Sequence, residues 1–285
     1  MIRPPQLIYL LFFISLVMLP EAFSNAAQTQ RGRIGCPHCR NDGSEVSLLL
    51  QEADNLYTSF KPKEALKKLL KVIRLDPQNY EGLAKTSRAY IDFGDMMQES
   101  DVNGEGTKLE QYLIAEKYAR MAVKANPDST WGHFYVATSL GKIANQSSTS
   151  RQIDLSFEIR EAIKKAIALD PQNGFAYHVY GVWHRKLAEI GQMGRVVVSW
   201  ILWRSVPQGS LEESVDYLKK AISLNPKAIS HRLELGRTYM AIGQWNLARD
   251  FLESVQELPV QFSDDSIKKK EAIQLLREIE ARDHG

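Results

Sequence analysis

The pentapeptide Leu-Asp-Pro-Gln-Asn occurs twice, at Leu75–Asn79 and Leu169–Asn173. Shorter relatives of it stand at Ala125-Asn126-Pro127 and Leu224-Asn225-Pro226. Each ends an apolar-periodic stretch and opens another. Proline suits such a junction, because it cannot continue the incoming helix and it pre-sets the backbone of the outgoing one. Punctuation that returns every few tens of residues implies supersecondary units stacked side by side, each burying its neighbour's apolar face.

The last unit is the most regular. Leu235-Gly236-x-x-Tyr239 is followed by Ala248 and, one turn later, Leu252. Gly236 and Ala248 are small enough for two helices to approach closely, Tyr239 fills the space above, and Gly243 is placed to end the first helix. That is the signature of a tetratricopeptide unit, two antiparallel helices in about 34 residues. The prolines at 77, 127, 171, 226 and 259 stand 50, 44, 55 and 33 residues apart. The surplus over one repeat is assigned to loops at Met96–Thr107 and Asn145–Arg151 and to a longer insertion at Ile190–Gly209. Second helices are expected at Pro62–Leu75, Glu110–Ala125, Asp154–Leu169 and Leu211–Leu224. Their inner positions are Ala65, Ala115, Ile159, Ser214 and Ala248, facing Ala53, Ser87, Ala137, Gly181 and Gly236 of the first helices. A last amphipathic helix, Asp264–Asp283, would cap the open end through Ile267, Ala272, Leu275, Leu276 and Ile279, with Lys268, Lys269 and Lys270 in water. The fold class is thus all-α, a tetratricopeptide-like solenoid of antiparallel helix pairs with insertions and a C-terminal capping helix.

Residues 45–285 carry this domain. Ahead of it, Leu7–Leu19 is uncharged and follows Arg3. Small residues come next, so residues 1–26 read as a signal peptide and predict a periplasmic or secreted protein. The alternative is a membrane anchor at residues 7–19, though the run is shorter than the about 20 residues of a span. Residues 27–44 form a polar tether holding Cys36-Pro37-His38-Cys39, the chain's two cysteines. Three ligands at most fall short of a zinc site, and no βαβ setting supports thioredoxin-like chemistry. A local disulfide is the plain expectation, with a redox or metal-linked accessory role through Cys36 and Cys39 as the alternative function.

Three stretches carry a family likeness: Lys165–Pro171; Tyr180-Gly181-Val182-Trp183 with Ala188-Glu189; and Tyr217–Ala221 followed by Leu235–Tyr239. With the order of the insertions, they make Glu45–Ile279 resemble the regulator of microtubule dynamics proteins. The resemblance implies a tetratricopeptide-like fold and association with microtubules. An exported protein would not meet cytoplasmic microtubules, so the microtubule expectation applies only to a cytoplasmic chain.

No catalytic pattern is present: no GxSxG, HExxH or phosphate loop, and His178 and His184 do not share a helix face. No enzyme activity, cofactor or metal is assigned. A net charge of +2 gives no reason to expect nucleic acid. The function expected is binding of a protein or peptide along the concave groove that the first helices line. Taking the register from Leu235-Gly236, groove positions include Arg88, Lys142, His178, Arg185, Lys186 and Arg237, interleaved with Trp131, Phe134 and Phe175. Cations among rings suit an acidic segment, unless they form only a solvated face. Arg185 and Arg237 are expected to be exposed. Val196, Val197, Val198, Ser199, Trp200, Ile201, Leu202 and Trp203 form an uncharged run inside the longest insertion. It reads as a short helix tucked onto the solenoid, or as an exposed patch for a partner or a bilayer surface.

Overall fold

A computed structural model describes residues 42–97, 106–203 and 205–283. Those residues form twelve helices and no strand: α1 Asp42–Thr58, α2 Pro62–Leu75, α3 Tyr80–Met96, α4 Lys108–Ala125, α5 Thr130–Asn145, α6 Thr149–Leu169, α7 Gly174–Glu189, α8 Gly191–Leu202, α9 Leu211–Leu224, α10 Ile229–Ile242, α11 Trp245–Glu257 and α12 Asp265–Asp283. Helices pack as α1 with α2, α3 with α4, α5 with α6, α7 with α9 and α10 with α11, and α12 covers α11 and α10. This is a helical solenoid of five hairpins and a cap.

The proline punctuation works through two side chains. Asp76, Asn126 and Asp170 each accept, through Oδ1, the backbone N–H two residues on, at 3.2, 3.1 and 2.9 Å. Then Asn79, Ser129 and Asn173 cap the next helix, accepting from Gly82, Gly132 and Ala176. An Asx turn followed by an N-cap satisfies donors that a helix start would otherwise leave orphaned.

All ten predicted close-contact positions are buried, from Ala53 and Ala65 to Gly236 and Ala248. A methyl built on Gly236 would stand 2.8 Å from Leu252 Cγ, and one on Gly181 2.7 Å from Leu218 Cγ. Glycine at these places is what lets the paired helices meet.

Three expectations are corrected. The surplus at Asn145–Arg151 is not a loop: α6 begins at Thr149 and runs 21 residues, so most of the extra chain lengthens a helix. The capping helix keeps its expected inward face at Ala272, Leu275, Leu276 and Ile279 but departs from it in the first turn. Ile267 is 46% exposed, while Lys268 folds inward onto Asp264 at 2.7 Å. The entry to that turn is held by Asp265, which is buried and accepts from the N–H groups of Gln261 and Phe262 at 2.8 Å each. Finally, α8 is not tucked onto the solenoid. Among the described residues no helix packs closely on it, and Met193, Val196, Trp200, Ile201 and Trp203 are more than half exposed.

Candidate functional site: the inner face of the first helices

The predicted groove cations stand on the first helices α3, α5, α7 and α10. Arg88 of α3 lies over the Tyr57 ring, 4.1 Å from its centroid, and 3.7 Å from Asp92 Oδ2. Tyr57 donates its hydroxyl to that carboxylate at 2.9 Å. Burial pushes the Asp92 carboxyl up to about 6, against the opposing pull of Arg88 and Tyr57. Lys142 of α5 meets Asp95 at 2.5 Å, and Tyr112 donates to the same carboxylate at 2.6 Å.

Farther along, Arg185 of α7 bridges Glu189 at 2.7 Å and Glu234 of α10 at 2.5 Å. Arg237 meets Glu271 of α12 at 2.9 Å. His178 and His231 stack at 4.9 Å, and Phe175 stands edge-on to His231 at 5.2 Å. Burial pushes both imidazoles down, His178 to about 3 and His231 to about 2, and nearby Lys268 adds to it. They are held neutral.

The inner face also holds a segment of the chain's own C-terminal part. The linker from α11 to α12 brings Phe262 edge-on to Phe175, at 5.7 Å, and beneath Arg88, at 5.8 Å. Gln261, Phe262 and Ser263 line a small enclosed gap with Tyr57, Phe60, Pro62, Arg88 and Asp92. The last hairpin is thereby joined to the first two.

The expected groove set is therefore partly assembled and partly elsewhere. Arg88, Lys142, Phe175, His178, Arg185 and Arg237 lie along this face, but every one of those cations already has an acidic partner. Arg185 is buried at 6% exposure, which corrects the expectation that it is free. Phe134 is core, at 8%, beneath the half-exposed Trp131. Lys186 is exposed and has no ion pair with a described residue. In the insertion, Val196, Val197, Trp200, Ile201 and Trp203 are exposed, Val198 is half-buried, and Leu202 lies in the same helix. Cys36 and Cys39 lie outside the described residues, and no group of three or more metal-ligating side chains occurs among the described ones.

Sequence reasoning missed Tyr57, Asp92, Asp95, Glu234, Phe262 and Lys268. Asp92 and Asp95 could have been found, because they stand four and seven residues after Arg88 on the same face. Phe262 gives no such signal, being one aromatic in a short linker.

The model of the family described as regulator of microtubule dynamics protein 1-3 matches residues 49–280. The chain belongs to this family. Regulator of microtubule dynamics protein 1 of Bos taurus is 28% identical over 236 residues, 82% of this chain and 72% of that protein. Protein 3 of Rattus norvegicus is 25% identical over 234 residues, and the chain spans 48% of its length. Among solved structures, a thermophilic tetratricopeptide protein of Thermus thermophilus shares the fold with a TM-score of 0.56 at 16% identity, over 80% of this chain and 99% of that one. The pilus biogenesis factor PilW does so with a TM-score of 0.50 at 18% identity, over 83% and 91%.

Family membership overturns the expected localisation. Relatives from cow, mouse and rat are named for microtubule dynamics, and microtubules are polymers of the eukaryotic cytoplasm. Delivery to a periplasm or to the outside is corrected accordingly; the expected signal peptide or anchor falls on residues 1–26. Those residues lie outside the described ones; among the described ones, no helix is long and apolar enough to cross a membrane.

Proposed function

We propose that this chain is a non-catalytic scaffold that takes a segment of a protein partner along the inner face of its first helices. The partner is proposed to belong to the microtubule system for which its relatives are named. What supports the groove most is that it already accommodates a turn of polypeptide, Gln261–Ser263, with a ring between Phe175 and Arg88. A surface that receives backbone plus an aromatic side chain from its own chain has the shape to receive them from another.

A second site for an acidic partner is favoured by a separate observation. Cations free of ion pairs with described residues stand outside the groove, toward the C-terminal ends of the second helices. Arg74, Lys124, Lys164, Lys165, Lys219 and Lys220 are all exposed there. The helix dipole favours cations in that place in any case, but their recurrence on successive second helices also suits an extended acidic surface.

Co-sedimentation with assembled microtubules tests both readings. Wild type is expected in the pellet, less so as salt rises. Phe175→Ala should lower the pelleted fraction if the groove is used. Charge reversal at Lys164, Lys165, Lys219 and Lys220 should lower it if the outer edge is used. Wild type remaining in the supernatant at low salt overturns the microtubule partner.

A further inference from the structure

The linker between α11 and α12 does more than connect them. Its Phe262 reaches the rings and the guanidinium of the inner face, at 5.7 Å from Phe175 and 5.8 Å from Arg88. The turn that presents it is built for the purpose. Asp265 Oδ2 accepts from the N–H groups of both Gln261 and Phe262, so the backbone around the ring is fixed. Asp265 itself is fully buried. Yet Phe262 remains half-buried, and the gap beside it is enclosed by Tyr57, Phe60 and Pro62 on the far wall. A ring seated against an aromatic edge and a cation, without being locked into a core, is held by interactions worth about 1 kcal/mol each. That is weak enough to be exchanged.

We infer that Phe262 is a resident competitor in an aromatic-accepting pocket, and that the groove's partner presents an aromatic side chain which displaces it. The inference rests on the groove reading above. It adds the chemistry of the partner and the event that admits it. Charge cannot supply the selection, because Arg88, Lys142, Arg185 and Arg237 are already matched by Asp92, Asp95, Glu234 and Glu271. What distinguishes the pocket is the face and edge of its rings, with Arg88 as a cation beside them. The tethered Phe262 works at the high effective concentration of any intramolecular ligand, about millimolar for a short linker. An outside segment therefore meets an occupied site, and its apparent affinity is its intrinsic affinity multiplied by the small fraction of chains in which Phe262 is unseated.

The probe is a fluorescent peptide of residues 258–268, Leu-Pro-Val-Gln-Phe-Ser-Asp-Asp-Ser-Ile-Lys, titrated by anisotropy against the full chain. Phe262→Ala empties the pocket and should bind the peptide at least tenfold more tightly than wild type. The peptide with alanine at its phenylalanine should bind neither. Equal affinity for wild type and variant, or binding that ignores the peptide's ring, overturns the inference. Circular dichroism shows whether the variant is folded. Should it not be, wild type carries the test: excess peptide must raise hydrogen exchange at the amides of Gln261 and Phe262, and unchanged exchange overturns the inference. The two proposals fail separately. Peptide binding to Phe262→Ala without any gain in microtubule pelleting keeps the pocket and overturns the groove as the microtubule site. Loss of peptide binding with Phe175-dependent pelleting intact does the reverse.

Discussion

Arg185 Nη2 lies 2.5 Å from Glu234 Oε2, tying α7 to α10 across 49 residues of sequence. Both side chains are largely out of water, at 7% and 17% exposure. Removing one partner leaves the other charge buried and unpaired, which typically costs about 3–5 kcal/mol. Arg185→Glu should therefore unfold at markedly lower urea concentration than wild type. An unchanged urea midpoint would mean that the pair is solvated. Charge reversal at Arg185 is accordingly a stability experiment rather than a binding one.

Glycines separate close helix contact from mere helix interior. Gly236→Ala puts a methyl against Leu252, which is fully buried. Such overpacking should cost about 1–3 kcal/mol. Gly141 lies within α5 with nothing within 4 Å of an added methyl. There Gly→Ala should stabilise by about 0.5–1 kcal/mol, through helix propensity alone. Thermal melts of the two variants should shift in opposite directions; a common direction would refute the packing account.

These contacts were legible because they repeat. Ala53, Ser87, Ala137, Gly181 and Gly236 recur at one register, and only a close helix crossing needs that pattern of small residues. Second helices were placed within a few residues for the same reason, their ends being marked by Pro62, Pro77, Pro127, Pro171 and Pro226. The state of the groove was not legible. Whether Lys142 faces solvent depends on Asp95, 47 residues earlier, and whether Phe175 is free depends on Phe262, in a linker with no periodicity. Ser, Thr and Gln at 146–152 suggested a loop by composition, but helix propensity tolerates them and α6 simply runs on. In α12 the helix pattern placed Ala272, Leu275, Leu276 and Ile279 inward, but it could not show that the buried Asp265 would shape the first turn and leave Ile267 exposed.

Acid should loosen the structure through two imidazoles. His178 and His231 stay neutral in the fold down to about 3 and about 2, whereas an unfolded chain protonates them near 6.5. The unfolded state binds more protons in that window, so stability falls as pH falls from about 6.5 toward 3, by up to about 1.4 kcal/mol per unit for each group. Asp92 acts in the opposite sense, because its raised value near 6 favours the folded state as pH drops below that point. One carboxyl offsets only part of two imidazoles. Urea titrations at pH 7 and 5 should show a lower midpoint at pH 5, and His231→Gln should reduce the difference. Equal midpoints in wild type would contradict the neutral pair.

The α8 surface gives the last test. Trp200 is 78% exposed and Trp203 89%, and Trp203 takes the left-handed backbone at φ 52° that glycine adopts freely. Trp200→Ser with Trp203→Gly should leave the melting temperature within a degree or two of wild type or slightly above it. Intrinsic fluorescence should move to shorter wavelength, since two water-exposed indoles are gone. A fall of many degrees would show that α8 is packed after all.

The contact of Phe262 with Arg88 joins residues more than 170 positions apart. In a plain stack of hairpins every contact is local, and the chain can fold from any point outward. Here one contact waits for both ends. Its loop-closure entropy is met only after the intervening hairpins have formed and brought α3 and the linker together. The clasp thus couples the two ends of an otherwise local stack, and opening it need not melt any hairpin.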